Sequence, residues 1–242
     1  MPEQQNNQDD TWAPPAPQRV AARALVLCAV VCRGFIEQEP KSRDNESLRR
    51  RVLDWLDGLT LMPEVEPSEL ALLRAPLGTL SPQDAVDAGW RCEGLALLAW
   101  ALQVFELPGY DEEVEPKAVT EALGFLWAEE AGELLAAPTL RPAAELERVG
   151  RQLFALNWRL TEFRLRPKSL YFGAFAKDAW FGPLDISYVR LMQGDLAVGN
   201  QPLIRAAPEQ VGALASVARE RHEAINWLLG QDPLYSRVSA NT

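Results

Sequence analysis

The chain has 242 residues, of which 48% are apolar and 24% charged, the ordinary balance of a globular protein long enough to bury a substantial core. Its formal net charge of −10 argues against general affinity for nucleic acids and for anionic membranes, because both attract basic surfaces. Three cysteines are too few for a disulfide framework, and with one histidine they give no zinc-type spacing, so we expect no bound metal. We also expect no cofactor.

The cysteines and the start of the chain bear on location. Cys28, Cys32 and Cys92 lie in apolar runs, which is typical of core residues in a reducing compartment. The apolar run from Ala24 to Cys32 is too short to cross a bilayer. The first residues are acidic and amide-bearing, whereas a signal peptide begins with basic residues. We therefore expect a cytoplasmic protein that does not bind membranes.

Negative charge is concentrated in the first part of the chain. Residues 141–242 hold 13 Lys/Arg and 10 Asp/Glu, and residues 1–140 hold the other 11 and 24, so the two parts carry +3 and −13. Much of the negative charge lies between Glu106 and Glu133. One interpretation is a solvated surface of loops and helices, and the other is a binding surface for a cationic protein partner.

The amino-terminal region predicts a tail followed by two helices. Residues 1–17 are polar and proline-rich, which is typical of a disordered segment. Apolar residues spaced by three and four then predict a helix over Gln18–Glu37. A second helix is expected to start with Asp44 or Asn45 as its cap and to stop at Gly58. A shorter helix, capped near Ser68, is expected to cover Leu70 to Arg74.

The strongest local signal is the sequence SPQD at residues 81–84. Ser81 can cap a helix, Pro82 suits its first position, and Asp84 favours its positive end. The helix is predicted to run to about Phe105, before Pro108-Gly109. It is apolar nearly all round from Leu95 onward, so we expect it at the centre of the fold.

The rest of the chain predicts more helices and one hairpin. Gly199-Asn200 is a hairpin dipeptide between two short strands near residues 195–204. Helical patterns cover four other segments, namely Pro116 to Trp127, Glu130 to Leu135, Ala143 to Leu165 and Pro208 to Leu229. The predicted fold is therefore mainly α, a single helical domain over residues 18–242 with about eight helices and one small β-hairpin.

Two helical segments repeat an Asn-Trp pair. ALNWRL contains Asn157 and Trp158, and AINWLL contains Asn226 and Trp227. On a helical wheel each asparagine flanks the apolar stripe, and each tryptophan points to the opposite side. Asparagine at such a flank can bond another helix or a loop carbonyl. We interpret the repeat as similar packing rather than duplication.

His222, the only histidine, lies at the margin of the apolar stripe of the last helix. The favoured interpretation is a partly buried imidazole that is bonded to Asn226, a carboxylate or a backbone carbonyl. A catalytic role would require an activated nucleophile or a paired acid, and the chain carries no G-x-S-x-G, H-E-x-x-H, Walker or dinucleotide motif.

Two charges interrupt the apolar rows of the central helix. Arg91 and Glu93 each require a partner if they are buried. Asp87, one turn from Arg91, is the expected partner of that arginine. For Glu93 we expect Arg151 or Arg159 of the long helix, or His222. The favoured interpretation is a structural ion pair, and the alternative is a ligand site.

Four stretches begin at residues 20, 90, 194 and 220, and they read VAARALVLCAVVCRGFIE, WRCEGLALLAWAL, GDLAVGNQPL and ERHEAINWLLG. In this order they resemble the bacterial domain of unknown function 4272 family. The resemblance implies a mostly helical single domain and brings no activity, substrate or cofactor. It also implies that five residues occupy recurrent positions of the family: Arg91, Glu93, His222, Asn226 and Trp227. The ending QDPLYSRVSANT after Gly230 departs from the family's usual close.

The leading functional hypothesis is a non-catalytic protein-interaction module, comparable to an antidote or an adaptor. Its candidate binding residues are Trp90, Asn226 and Trp227. The alternative is a hydrolase or transferase that uses Glu93, His222 and an arginine, for which Arg91 is the candidate. In a third interpretation, these charged residues only join helices.

Overall fold

The computed structural model describes residues 12–240, and this part of the chain is mainly α, as predicted. Its nine helices are α1 (Pro17–Ile36), α2 (Arg43–Gly58), α3 (Pro67–Arg74), α4 (Pro82–Ala101), α5 (Pro116–Ala122), α6 (Ala128–Ala136), α7 (Ala143–Leu165), α8 (Phe172–Phe175) and α9 (Pro208–Leu228). Of the predicted tail, residues 1–11 lie outside the described residues, and α1 begins at Pro17. No helix in the described region is long and apolar enough to span a membrane.

The predicted hairpin is present within a slightly larger sheet. Strand β2 (Asp195–Val198) pairs antiparallel with β3 (Gln201–Pro202), and Gly199 adopts the positive φ of 56° that the turn requires. A further short strand, β1 (Leu191–Met192), pairs with the other edge of β2. The sheet therefore has three strands, one more than predicted.

Helix α4 forms the centre of the fold. Its residues from Cys92 to Ala101 are all buried, in agreement with their continuous apolar pattern. Helix α1 packs on one side of α4 and α9 on another, and α9 also packs against α7. The crossing of α1 and α4 is close, because a Cβ atom at Gly34 would lie 2.8 Å from the backbone nitrogen of Gly89.

Helix caps and ends differ from the prediction in several places. Ser81 caps α4 as predicted, and its hydroxyl accepts a hydrogen bond from the Asp84 nitrogen. Helix α2 is capped by Ser42 rather than by Asp44 or Asn45, and α3 begins after Glu66 rather than near Ser68. These shifts arise because the side chain that captures the free amides lies earlier in the chain than expected.

Two predicted helices end early at left-handed residues. Helix α4 stops at Ala101, and Gln103 has a φ of 63°. The segment predicted as one helix from Pro116 to Trp127 stops at Ala122, because Gly124 and Leu126 have φ of 70° and 66°. Such residues cannot continue a right-handed helix. The interruption places Trp127 at the start of α6.

Candidate functional site

The contact between α4 and α9 brings together most of the charged residues singled out in the sequence. Glu93 on α4 is completely buried, and it pairs with Arg221 on α9 at 2.8 Å between Oε2 and Nη2. Its other oxygen, Oε1, accepts a hydrogen bond from the Val114 nitrogen at 2.8 Å. Burial raises the pKa of Glu93 above its usual range, and the Arg221 guanidinium opposes this shift. Both carboxylate oxygens are thus engaged within the fold.

Arg221 also holds the loop between α4 and α5. Its guanidinium donates hydrogen bonds to the carbonyl oxygens of Gly109 at 3.0 Å and of Glu112 at 2.9 Å. Together with the Glu93 pair, these bonds satisfy a charge that is almost completely buried. The Glu93–Arg221 pair therefore fixes the position of residues 109–114 over α4.

The expected partners of Glu93 were wrong. Arg159 pairs instead with Asp195 of β2, at 2.6 Å between Nη2 and Oδ2, and both side chains are buried. Arg151 is exposed, and His222 makes no hydrogen bond to Glu93. The true partner, Arg221, lies 128 positions away along the chain, so no local spacing could indicate it.

Arg91 also pairs with α9. Its Nη1 lies 3.0 Å from a carboxylate oxygen of Glu220 and 3.0 Å from one of Glu223. The guanidinium lies over the ring of Tyr235, 5.8 Å from its centre. The predicted partner was wrong: Asp87 instead accepts a hydrogen bond from Gln83. Arg91 therefore joins α4, α9 and the carboxy-terminal segment.

His222 lies between Arg221 and Glu223 on α9, but its ring contacts a different helix. The residue is 2% exposed, and its ring makes an edge-to-face contact with Phe154 of α7 at 6.0 Å between ring centres. Nδ1 is buried without a hydrogen-bond partner. Burial lowers the pKa of His222 to about 4, so the imidazole is neutral at pH 7. The hydrogen bond expected from the sequence, to Asn226, a carboxylate or a carbonyl, is not made within the described region.

The ring of His222 lines a cleft of about 380 Å3 between α7, α9 and the segment 183–185. We call this the His222 cleft. Helix α7 contributes its face from Glu147 to Phe154, and α9 contributes His222 and Asn226, with Leu229 directly after its end. The cleft lies on the α7 side of α9, whereas Glu93 and Arg91 meet the α4 side. Glu93 and Arg91 thus pair with residues of the α9 turn that carries His222, but these three candidate catalytic residues do not share one cavity.

The candidate binding residues mostly make contacts within the fold. Trp227 is 1% exposed, and its ring packs against Tyr235 at 5.7 Å and under the Arg19 guanidinium at 5.4 Å. Asn226 lines the His222 cleft and donates a hydrogen bond to the Ser239 carbonyl oxygen at 3.1 Å. Trp90 is half-buried on α4.

An exposed aromatic residue on the acidic part of the chain was not singled out in the sequence. Trp127, which immediately precedes α6, is 64% exposed. Glu129, Glu130 and Glu133 on α6 are also exposed, and none of the three forms an ion pair within residues 12–240. We call these four residues the Trp127 surface. Carboxylates in the first turn of a helix interact favourably with the helix dipole. This interaction does not explain an exposed tryptophan beside them.

Comparison with known protein families decides the relationship of the chain. The model of the family described as "Domain of unknown function (DUF4272)" matches residues 6–173, more than half of the chain. The chain belongs to this family. The match includes the stretches that begin at Val20 and Trp90, whereas those that begin at Gly194 and Glu220 lie beyond it. No curated protein and no solved structure matches the chain.

Membership of the DUF4272 family implies no activity, substrate or cofactor, and the chemical properties of the protein therefore lie in its side chains. In the described region, no group of three or more His, Cys, Asp or Glu side chains is placed to hold a metal ion. The cysteines are free thiols, with Cys28 and Cys92 buried and Cys32 half-buried. Among the described residues, the Trp127 surface and the His222 cleft are two features with unused binding capacity.

Proposed function

We propose that this protein is a non-catalytic protein-interaction module, built as a single helical domain over residues 18–242, that binds a cationic segment of a partner through the Trp127 surface. The observation that carries the proposal is the 64% exposure of Trp127 beside carboxylates that have no ion pair within the described region. Both an antidote and an adaptor would bind their partner through such a surface.

The chemistry of the Trp127 surface suits lysine and arginine side chains. The face of an indole ring attracts a cation through its quadrupole, with a contribution of about 0.5–1 kcal/mol at an exposed position. Exposed tryptophans also serve as anchor residues in protein interfaces, because they bury a large area at small entropic cost. Glu129 and Glu130 follow Trp127 by two and three residues and would pair with further positive charges.

The wider charge distribution supports the same partner. Residues 1–140 carry −13 in total, and this excess favours the approach of a positively charged protein over long distances. Such attraction mainly raises the association rate, and it weakens as the salt concentration rises. The proposal therefore includes a partner affinity that falls with ionic strength.

The alternative of a hydrolase or transferase is less well supported. Glu93 has no exposed surface, and both its oxygens accept hydrogen bonds from Val114 and Arg221. His222, with a pKa of about 4, is a weak base at pH 7. A general acid–base pair requires groups that reach the same substrate, and these two side chains contact different helices.

A display library of random peptides tests the proposal even though the natural partner is not identified. We expect the parent protein to enrich peptides rich in lysine and arginine, and we expect this enrichment to fall in Trp127→Ala and in the double variant Glu129→Gln/Glu130→Gln. Trp180→Ala is the matched control, because Trp180 is 89% exposed and lies outside the acidic segment. Enrichment of neutral or acidic peptides, or equal loss in the control, would refute the Trp127 surface.

A further inference from the structure

The imidazole of His222 has hydrogen-bonding capacity that the fold does not use. The side chain is 2% exposed, Nδ1 is buried without a partner, and neither ring nitrogen bonds another described residue. Leaving such a polar group unsatisfied costs about 1–3 kcal/mol. A neutral imidazole offers one donor and one acceptor. Nδ1 itself is enclosed, so a ligand in the His222 cleft could bond this ring only through Nε2, which makes no hydrogen bond to a described residue.

The rim of the cleft carries one positive and one negative group from α7. Arg151 and Glu147 both line the cleft, both are exposed, and neither forms an ion pair within residues 12–240. Glutamate and arginine four positions apart on a helix commonly pair with each other. Here they do not, so a guanidinium and a carboxylate are available one helical turn apart. This arrangement complements a ligand that carries a carboxylate and an ammonium group.

The cleft lies between two antiparallel helices and combines apolar walls with polar residues, among them Asp185 and Asn226. Gly150 packs near Leu229, and Phe154 packs near His222, so α7 and α9 run in opposite directions along the cleft. The face from Glu147 to Phe154 extends about 10 Å along the helix axis. Phe154, Leu184 and Leu229 provide apolar walls along this length. A flat ring fits such walls, and its far end would lie near His222.

The size of the cleft sets the size of the ligand. Its volume of about 380 Å3 lies at the lower end of the range for small-molecule sites, roughly 300–1,000 Å3. Gly150 keeps the two helices close, because a Cβ atom there would lie 2.9 Å from Leu229 Cδ1. The cleft therefore suits a compact molecule that carries charged groups and a polar ring atom.

We propose that the His222 cleft binds a free amino acid whose aromatic ring carries a polar atom, with tyrosine as the reference ligand. Arg151 pairs with the carboxylate, Glu147 pairs with the ammonium group, and His222 bonds the hydroxyl at the far end of the ring. Phe154 and Leu184 pack against the ring faces and edges. This site is independent of the Trp127 surface, and neither proposal rests on the other.

Calorimetric titration with four ligands separates the contributions of the three groups. The ligands are tyrosine, tyramine (which lacks the carboxylate), the deaminated analogue of tyrosine (which lacks the ammonium group) and phenylalanine (which lacks the hydroxyl). We expect saturable binding of one tyrosine per chain at millimolar concentration or below, and weaker binding of the other three. Absence of saturable tyrosine binding would overturn the proposal.

Variants then assign each group. Arg151→Gln is expected to weaken tyrosine binding by about tenfold, since a charge-assisted pair is lost, and to leave tyramine binding unchanged. Arg148→Gln is the matched control, because Arg148 is an exposed arginine of the same helix outside the cleft. His222→Phe is expected to equalise the affinities for tyrosine and phenylalanine. Arg151 is exposed, so its replacement should not impair folding, and equal affinities in the parent, Arg151→Gln and Arg148→Gln proteins would overturn the site.

Discussion

Asn157 on α7 and Asn226 on α9 donate hydrogen bonds to neighbouring carbonyl groups of the carboxy-terminal segment. Asn157 Nδ2 lies 2.6 Å from the Ala240 oxygen, and Asn226 Nδ2 lies 3.1 Å from the Ser239 oxygen. The asparagines of the repeated Asn-Trp pair thus have a shared structural role. Two antiparallel helices use the same residue type to hold one irregular segment of backbone.

Replacing either asparagine is expected to loosen this segment. Asn157→Ala and Asn226→Ala should each lower the free energy of unfolding by about 1 kcal/mol, because each removes a hydrogen bond to a carbonyl. Hydrogen exchange at residues 235–240 should accelerate in both variants, with Thr139→Ala on an exposed loop as the control. Unchanged protection of the segment in both variants would show that these bonds do not hold it.

Removing the buried carboxylate of Glu93 is expected to be much more damaging. Glu93→Ala leaves the Arg221 guanidinium charged and buried without its partner, a change that typically costs about 3–5 kcal/mol. Glu121→Ala removes an exposed carboxylate paired with Lys117 and should change stability by about 0.5 kcal/mol or less. Urea unfolding of both variants checks the contrast, and a similar cost for the two would contradict the assigned role.

The crossing of α1 and α4 predicts opposite effects for two facing glycines. Gly34→Ala would place a Cβ atom 2.9 Å from the Ala85 carbonyl oxygen, so the helices must separate, at an expected cost of about 1–3 kcal/mol. Gly89→Ala meets no atom within 4 Å and should stabilise α4 by about 0.5–1 kcal/mol. Thermal unfolding compares them directly. If both substitutions destabilised the protein to a similar extent, the close approach of α1 and α4 would not be the reason that Gly34 is required.

His222 is expected to make stability depend on pH below neutrality. Its pKa is about 4 in the folded protein and about 6.5 in the unfolded chain, so the unfolded state binds the proton first as the pH falls. The stabilising effect of the neutral ring is therefore complete above about pH 6.5 and is lost progressively towards pH 4, by on the order of 3 kcal/mol.

The difference in unfolding free energy between the parent protein and His222→Gln isolates the contribution of His222 from those of other titrating groups. The relevant ones include Glu93 and Glu223, whose pKa values burial raises. We expect the stability of the parent relative to the variant to decline between pH 6.5 and pH 4. A difference that stays constant over this interval would show that the pKa of His222 is the same in the folded and unfolded states.

Local patterns predicted the long elements well. Helix α7 was predicted with the bounds that it has in the structure, and α4 and its Ser81 cap were recognised because periodicity and capping depend on residues within one or two turns. The end of α4 was misplaced because the residue that adopts the left-handed conformation there is Gln103, and no glycine indicates the turn.

The partners of the charged residues could not be predicted in the same way. Asp87 was expected for Arg91 because it lies one turn away, yet Arg91 pairs with Glu220 and Glu223 on a helix distant in sequence. The position of Trp127 just before α6 likewise follows from the left-handed residues Gly124 and Leu126, which interrupt the predicted helix. Such features follow from packing between elements, and a single sequence shows only the elements themselves.

The most direct test of the proposed function is the affinity of one basic peptide, selected by the parent protein, for three variants. Calorimetry should show binding that weakens by about tenfold or more in Trp127→Ala, as expected for an interface anchor. The same peptide should bind Trp180→Ala with the affinity of the parent, and its affinity for Glu129→Gln/Glu130→Gln should depend less steeply on salt. Equal affinity of the parent and Trp127→Ala proteins would contradict the central claim.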